Sequence, residues 1–286
     1  MYVDAVKVSP HSGSIMKPAI CTSFDYTLPF PEAMAMIRAA GFEVVALGGR
    51  PGHSGYAAAE GRAAICTLLK QHGMAIDSVH APFPEGDRLF WLDDADRAES
   101  VRLCQLAMDA AVELESQIVV IHLIQPYGIP EGDVRNRMIE QGRRSVEALA
   151  DYAGRSGVKL AMENGQKHEY DDVLTTFLNE FTDPHVGFCY DSGHEHVKSG
   201  GFEMLEQFGH RLLTVHLHDN DGTKDAHVLP WEGTTDWERF RDLFHGLDYR
   251  GNLLLETDIG NSRFKDPAVF LSQAMARAER LLRVSG

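Results

Sequence analysis

The 286-residue chain is expected to fold as a single (β/α)8 barrel. Short β-rich runs alternate with longer amphipathic stretches eight times, as a parallel barrel requires. No Pro/Gly/Ser-rich linker or low-complexity segment divides the chain. A doubly wound open sheet is the alternative, but no glycine-rich phosphate fingerprint follows the first strand, so the barrel is favoured.

The strands are read at 19–23, 43–47, 75–80, 118–123, 158–164, 186–191, 212–218 and 252–256. Helical spacing runs over 95–114, 134–154, 236–247 and 267–283 among others. Asp93 or Asp94 is a natural N-cap ahead of Val101, Leu103 and Leu106. Gly73, Gly157 and Gly251 stand where helices are expected to end before the next strand. Residues 1–18 read as a short extension, leaving 19–286 as the catalytic barrel. The first 17 residues are mixed polar without the apolar core of a secretory signal.

Composition narrows the function. The formal charge of −15 gives no surface for a phosphate backbone or an anionic membrane, and no dense Lys/Arg stripe is present. No apolar run approaches the ~18 residues of a membrane span. Cys21, Cys66, Cys104 and Cys189 are scattered without a CxxC pair, as thiols of a reducing compartment would be. A cytoplasmic enzyme is the resulting expectation.

The chemistry sits at the strand ends. Successive strands terminate in His80 (SVHAPF), His122 (VIHLIQP), Glu163 (AMENG), Asp191 (CYDSGH), His216 (VHLHDND) and Glu256 (LLETD). Period-two alternation places Thr214, His216 and His218 on one face, opposite Leu213, Val215 and Leu217. It likewise separates Lys159, Ala161 and Glu163 from Val158, Leu160 and Met162. Gly187, Cys189 and Asp191 are in the same way set against Val186, Phe188 and Tyr190. The polar set therefore faces the mouth at the carboxyl ends of the strands, where barrel active sites are built. Unpaired, six such groups would be costly to bury, and a divalent cation removes that cost because imidazole and carboxylate are its ligands.

A second group follows the seventh strand in HLHDNDGTKDAHVLPWEGTTDW, where Asp225-x-His227 can return ligands over the mouth. His194 can join them as a ligand or bind substrate. His218 is expected to support the site or touch substrate rather than coordinate directly. Phe83 and Trp231 lie in mouth loops and are candidates to stack on a sugar face, or simply to pack.

From about residue 19 to the C-terminus the chain resembles the sugar isomerase/epimerase superfamily with a xylose-isomerase-like barrel, which includes inosose dehydratases and ketose 3-epimerases. MEN at Glu163, YDSGH at Asp191, HLHDND at His216 and LLET at Glu256 carry the resemblance. It implies Glu163, Asp191, His216 and Glu256 as ligands of one divalent ion (Mn, Co, Mg, Fe or Zn), with Glu163 and Glu256 as the acid/base pair. It implies proton abstraction beside a metal-bound carbonyl of a sugar or polyol ketone, through an enediolate. An inosose-type dehydratase or a non-catalytic sugar-binding barrel stands third. A homo-oligomer is common in that group.

The same superfamily contains zinc-dependent abasic-site endonucleases with a three-zinc site. The resembling ligand positions here are all filled, by His80, His122, Glu163, Asp191, His194, His216, Asp225, His227 and Glu256. A multi-zinc phosphodiesterase is therefore the second expectation. The acidic APFPEGDRLFWLDD loop and the net charge argue for the sugar over nucleic acid.

Overall fold

The computed structural model describes residues 16–124 and 130–283, so most of the expected N-terminal extension lies outside the described residues. Eight parallel strands form a barrel: β1 (Pro18–Cys21), β2 (Val44–Leu47), β3 (Ala75–His80), β4 (Ile118–Ile121), β5 (Lys159–Glu163), β6 (Val186–Asp191), β7 (Leu212–His216) and β8 (Leu253–Leu255). Hydrogen-bonded neighbours run β7-β6-β5-β4-β3-β2-β1-β8. A bridge between Leu217 and Leu255 joins the two ends of that order, with Leu217 N–H donating to Leu254 at 2.9 Å and Glu256 N–H to Leu217 at 3.1 Å.

Helices fill the returns: α1 (Phe30–Ala39), α2 (Pro51–Ser54), α3 (Ala59–His72), α4 (Asp94–Glu113), α5 (Asp133–Ser156), α6 (His168–Glu180), α7 (Ser192–Lys198), α8 (Glu203–Phe208), α9 (Trp237–His245) and α10 (Pro267–Leu282). Asp93 is the cap of α4, its carboxylate accepting from the backbone of Ala95 and Asp96 at 2.9 and 3.0 Å. Gly73 and Gly157 end α3 and α5 in the left-handed conformation, at φ 63° and 75°. Gly251 does not end a helix. Helix α9 stops at His245, and Gly251 lies against the Tyr249 ring, whose hydroxyl donates to Asn252 at 2.9 Å.

The outward strand residues pack under the helices. Leu160, Met162, Val186, Phe188 and Tyr190 join Phe177, Phe208 and Phe240 in one continuous core. Inside the barrel the side chains are smaller, with Ala19, Cys21, Val44, Ala46 and Leu254 on one side and Val120, Ala161 and Cys189 on the other. Leu213 departs from its expected place and packs with that second inner group. The β6/β7 pairing shifts register between Phe188 and Cys189, which breaks the period-two alternation at Leu213–Thr214. At the floor, Thr214 and Asn252 donate to the buried Asp77 carboxylate at 2.8 and 2.9 Å. All four cysteines are free thiols, and no described helix is long and apolar enough to cross a membrane.

Candidate metal centre

The six strand-end residues converge as the alternation requires. Donor atoms of Glu163, Asp191, His216 and Glu256 all lie within 4.8 Å of one another. Two further donor groups touch this one: His80, His122 and Glu163, and then His194, Asp225 and His227. His80, His122, Glu163, His194, Asp225, His227 and Glu256 line one cavity of about 680 Å³, within the range of small-molecule sites. Asp191 and His216 are buried beneath it.

Imidazole orientation is fixed from behind. Nδ1 of His80 meets the Ala81 carbonyl at 2.7 Å, that of His194 the Asn164 carbonyl at 2.8 Å, and that of His227 the Glu256 carbonyl at 3.0 Å. A carbonyl only accepts, so each Nδ1 carries a proton, and a ring in its neutral form presents its Nε2 lone pair. His122 Nδ1 is held in the same way by the Asp87 carboxylate at 3.1 Å. The four lone pairs then point at carboxylate oxygens. Nε2 of His80 and of His122 are each 3.5 Å from Glu163 Oε2, an oxygen with no hydrogen-bond partner. Nε2 of His194 and His227 lie 3.2 and 3.0 Å from Asp225 Oδ2.

Lone pairs facing lone pairs in a buried site repel unless a positive charge lies between them. Protons can supply it, and so can a metal ion. Ligands about 2.1 Å from a tetrahedral ion stand about 3.4 Å apart, close to the spacing around Glu163 Oε2. Backing of each ring by a carbonyl or carboxylate is the usual outer support of metal-bound histidine. Likewise His216 Nδ1 is 3.1 Å from both Glu163 Oε1 and Glu256 Oε2. One ring nitrogen cannot donate a single proton well to both, whereas all three atoms can share an ion. The donor set fits a divalent cation.

The electrostatics express the same demand. Burial raises the Glu163 carboxyl, but His216, His122 and His80 outweigh it and hold the group well below its usual range. Glu256 is lowered in the same sense by His216, against burial. Burial opposes charge on His227, yet Asp225 pushes that imidazole up to about 10. His122 is raised by Asp87 and Glu163 against its burial. His216 is raised against burial by Cys189, Glu256 and Glu163. Carboxylates here stay ionised and draw in positive charge.

Short segments set these positions. Asn164 pairs with the Asp191 backbone in both directions, accepting at 2.7 Å and donating at 2.8 Å, which locks the end of β5 to the end of β6. Asp191 Oδ1 caps α7 by accepting from His194 N–H at 2.6 Å, which presents the His194 ring. His218 does not line the cavity. Its Nε2 meets Asp191 Oδ2 at 3.0 Å, its ring stacks on His227 at 3.8 Å, and it forms a further donor group with His227 and Glu256. Its ring also covers Gly193, where a Cβ would come 1.9 Å from Cε1. Gly193→Ala is therefore expected to displace His218. The cost is about 1–3 kcal/mol by overpacking, read as a lower Tm together with weaker metal uptake.

The loop after β7 is organised by Asp219. Its carboxylate accepts from the backbone of Asn220, Gly233 and Thr235 at 2.9, 3.0 and 3.1 Å and from Trp237 Nε1 at 2.8 Å. This fold-back returns Asp225 and His227 to the mouth, and Gln166 donates to Asp225 Oδ2 at 3.0 Å. Trp231 is not at the mouth. It packs beside Trp237 with the Arg280 guanidinium 3.9 Å over its ring, and of the two candidate aromatics only Phe83 lines the cavity. Phe83 lines the cavity, is 41% exposed and stands edge-on to His122 at 5.3 Å. Asp87, Asn164, Gln166 and Asp219 hold the candidate residues or their loop in place and are not singled out in the sequence. Asn164 and Asp219 lie beside Glu163 and His218 inside the quoted motifs, and Asp87 lies in the quoted APFPEGDRLFWLDD loop, where its acidity rather than its partner is legible.

A family model described as a xylose isomerase-like TIM barrel matches residues 34–278. A fructoselysine 3-epimerase of Escherichia coli O157:H7 is 26% identical over 199 residues, 66% of this chain and 70% of the relative. An uncharacterized protein of Sinorhizobium fredii, y4fM, is 29% identical over 213 residues, 66% of this chain and 68% of its own. A solved D-tagatose 3-epimerase-like protein superposes with a TM-score of 0.74 at 21% identity, covering 93% of this chain and 98% of that one.

Proposed function

The chain belongs to the xylose isomerase-like TIM barrel family, and from that premise we propose that it is a metal-dependent isomerase or epimerase of a sugar or polyol ketone. The observation that carries the reading is the pair of carboxylates, Glu163 and Glu256, each with an oxygen 3.1 Å from His216 Nδ1. Glu163, Asp191, His216 and Glu256 would hold the ion. Such an ion, when bound, polarises a ketone oxygen and acidifies the neighbouring C–H.

The residues supply the rest of the chemistry. One glutamate takes the proton from the carbon beside the carbonyl, and the other returns one to the opposite face. Both are ionised at the outset, so either can act first as base, and the one that returns a proton must first take it up from solvent or a substrate hydroxyl. His80, His122 and His194 ring the same cavity and can donate or accept hydrogen bonds from the substrate hydroxyls. Phe83 offers an apolar face beside them. A fructoselysine 3-epimerase among the relatives agrees with chemistry of this kind.

A second reading is a multi-zinc phosphodiesterase, and a specific observation favours it: His80/His122/Glu163 and His194/Asp225/His227 are each complete as donor sets. The two readings separate in one experiment. Protein carrying about one equivalent of Mn or Co is expected to wash solvent deuterium into ketoses at the carbon beside the carbonyl. No exchange into any ketose, from protein holding two or three equivalents of Zn, would sink the isomerase reading. Loss of water in the product would instead identify a dehydratase.

A further inference from the structure

The cavity is chemically two-sided. All the metal donors come from β3 to β8 and the loops after them. The loops after β1, β2 and β8 build the other flank, where β1 lies between β2 and β8 in the sheet. That flank carries Arg50 and Lys265, the only cationic side chains other than histidine among the described residues lining the cavity.

Among the described residues, neither cation has a carboxylate within ion-pair distance. Several arginines elsewhere are ion-paired, as Arg62 is with Glu113 at 2.6 Å and Arg239 with Glu206 at 2.7 Å, while Arg38 and Arg211 are spent on backbone carbonyls. Arg50 instead lays its guanidinium over the Tyr26 ring at 4.5 Å, which leaves its N–H edge available. Lys265 Nζ donates to the Gly260 carbonyl at 2.6 Å and neutralises no charge. Neither forms an ion pair with a described carboxylate. Acids on the same flank are committed to their own turns. Asp25 accepts from Thr27 N–H and hydroxyl at 2.8 and 2.6 Å, and Asp258 from Gly260 N–H at 2.7 Å.

Arg50 and Lys265, outside ion-pair distance of Asp25 and Asp258 on their own flank, are the cationic groups the cavity offers to a ligand with one anionic end. We propose that the substrate is a keto-sugar acid, its carbonyl end at the metal donors and its carboxylate between Arg50 and Lys265. This inference rests on the sugar-ketone reading above. A phosphate would offer similar oxyanion chemistry, but no glycine-rich or multi-arginine cradle accompanies the pair.

The test compares three probes on one carbon skeleton: D-fructose, D-fructuronate and D-fructose 6-phosphate. Calorimetry on manganese-loaded protein is expected to show fructuronate binding about tenfold or more tighter than fructose. Arg50→Ala and Lys265→Ala are each expected to shrink that ratio several-fold, and raised salt to erode it. Equal binding of fructose and fructuronate overturns the inference while leaving the sugar reading intact, provided fructose still exchanges deuterium. Preference for the 6-phosphate overturns the carboxylate. Failure of all three to bind overturns the inference and the sugar reading together.

Discussion

Glu163→Gln is expected to remove divalent-ion uptake and to lower turnover by about 10³-fold or more, with the barrel still folded. Glu163 belongs to both inner donor groups at once. Its Oε1 faces His216 Nδ1 at 3.1 Å, and its Oε2 stands 3.5 Å from Nε2 of both His80 and His122. The amide keeps the volume but loses a charge that, after Asp87 for His122 and after Cys189 and Glu256 for His216, helps to hold those imidazoles raised. It also directs two N–H donors, or one neutral oxygen, at atoms arranged around a full negative charge. Metal analysis and deuterium exchange read the two consequences separately. A variant that keeps its ion but loses exchange assigns Glu163 to proton transfer alone, while one that retains both at wild-type level would falsify the proposed role.

Asp219→Ala is expected to have the largest effect on stability. Removing the carboxylate leaves the N–H groups of Asn220, Gly233 and Thr235 and the Trp237 indole without their acceptor in a buried loop. Each orphaned donor costs about 1–3 kcal/mol where water cannot reach it, so a loss of about 3 kcal/mol or more is expected. The loop between β7 and α9 also carries Asp225 and His227, so divalent-ion binding at the group they form with His194 is expected to weaken in parallel. Asp219→Asn keeps one acceptor oxygen and is expected to fall between. Calorimetric unfolding with metal titration decides the matter. An Asp219→Ala protein as stable as the parent would remove Asp219 from its organising role.

Much of this site was legible because strand geometry is simple. A strand of period two that ends in His, Asp or Glu can aim that residue only inward or outward, and apolar neighbours such as Val215 and Leu160 settle which. The eightfold alternation gave the barrel for the same reason. What escaped was whatever depends on a partner distant in sequence. Asp87 supports His122 from 35 residues away, and nothing local to either residue encodes that pairing. Trp231 reads as a mouth aromatic until the Asp219 fold-back turns it toward Trp237. Leu213 follows its strand pattern in sequence, but a register shift sends it inward. Gly251 resembles a helix stop because glycine before a strand usually is one, yet here it makes room for Tyr249.

The bridge at Leu217 and Leu255 is the narrowest joint of the barrel, two backbone hydrogen bonds between strands that otherwise meet little. His216 on β7 and Glu256 beyond β8 stand on opposite sides of that joint, 3.1 Å apart. An ion held by both would act as a rivet across the seam, closing the cylinder where the backbone closes it least. Loading the centre and zipping the barrel then become one equilibrium, with chemistry competent only in a cylinder that is fully shut.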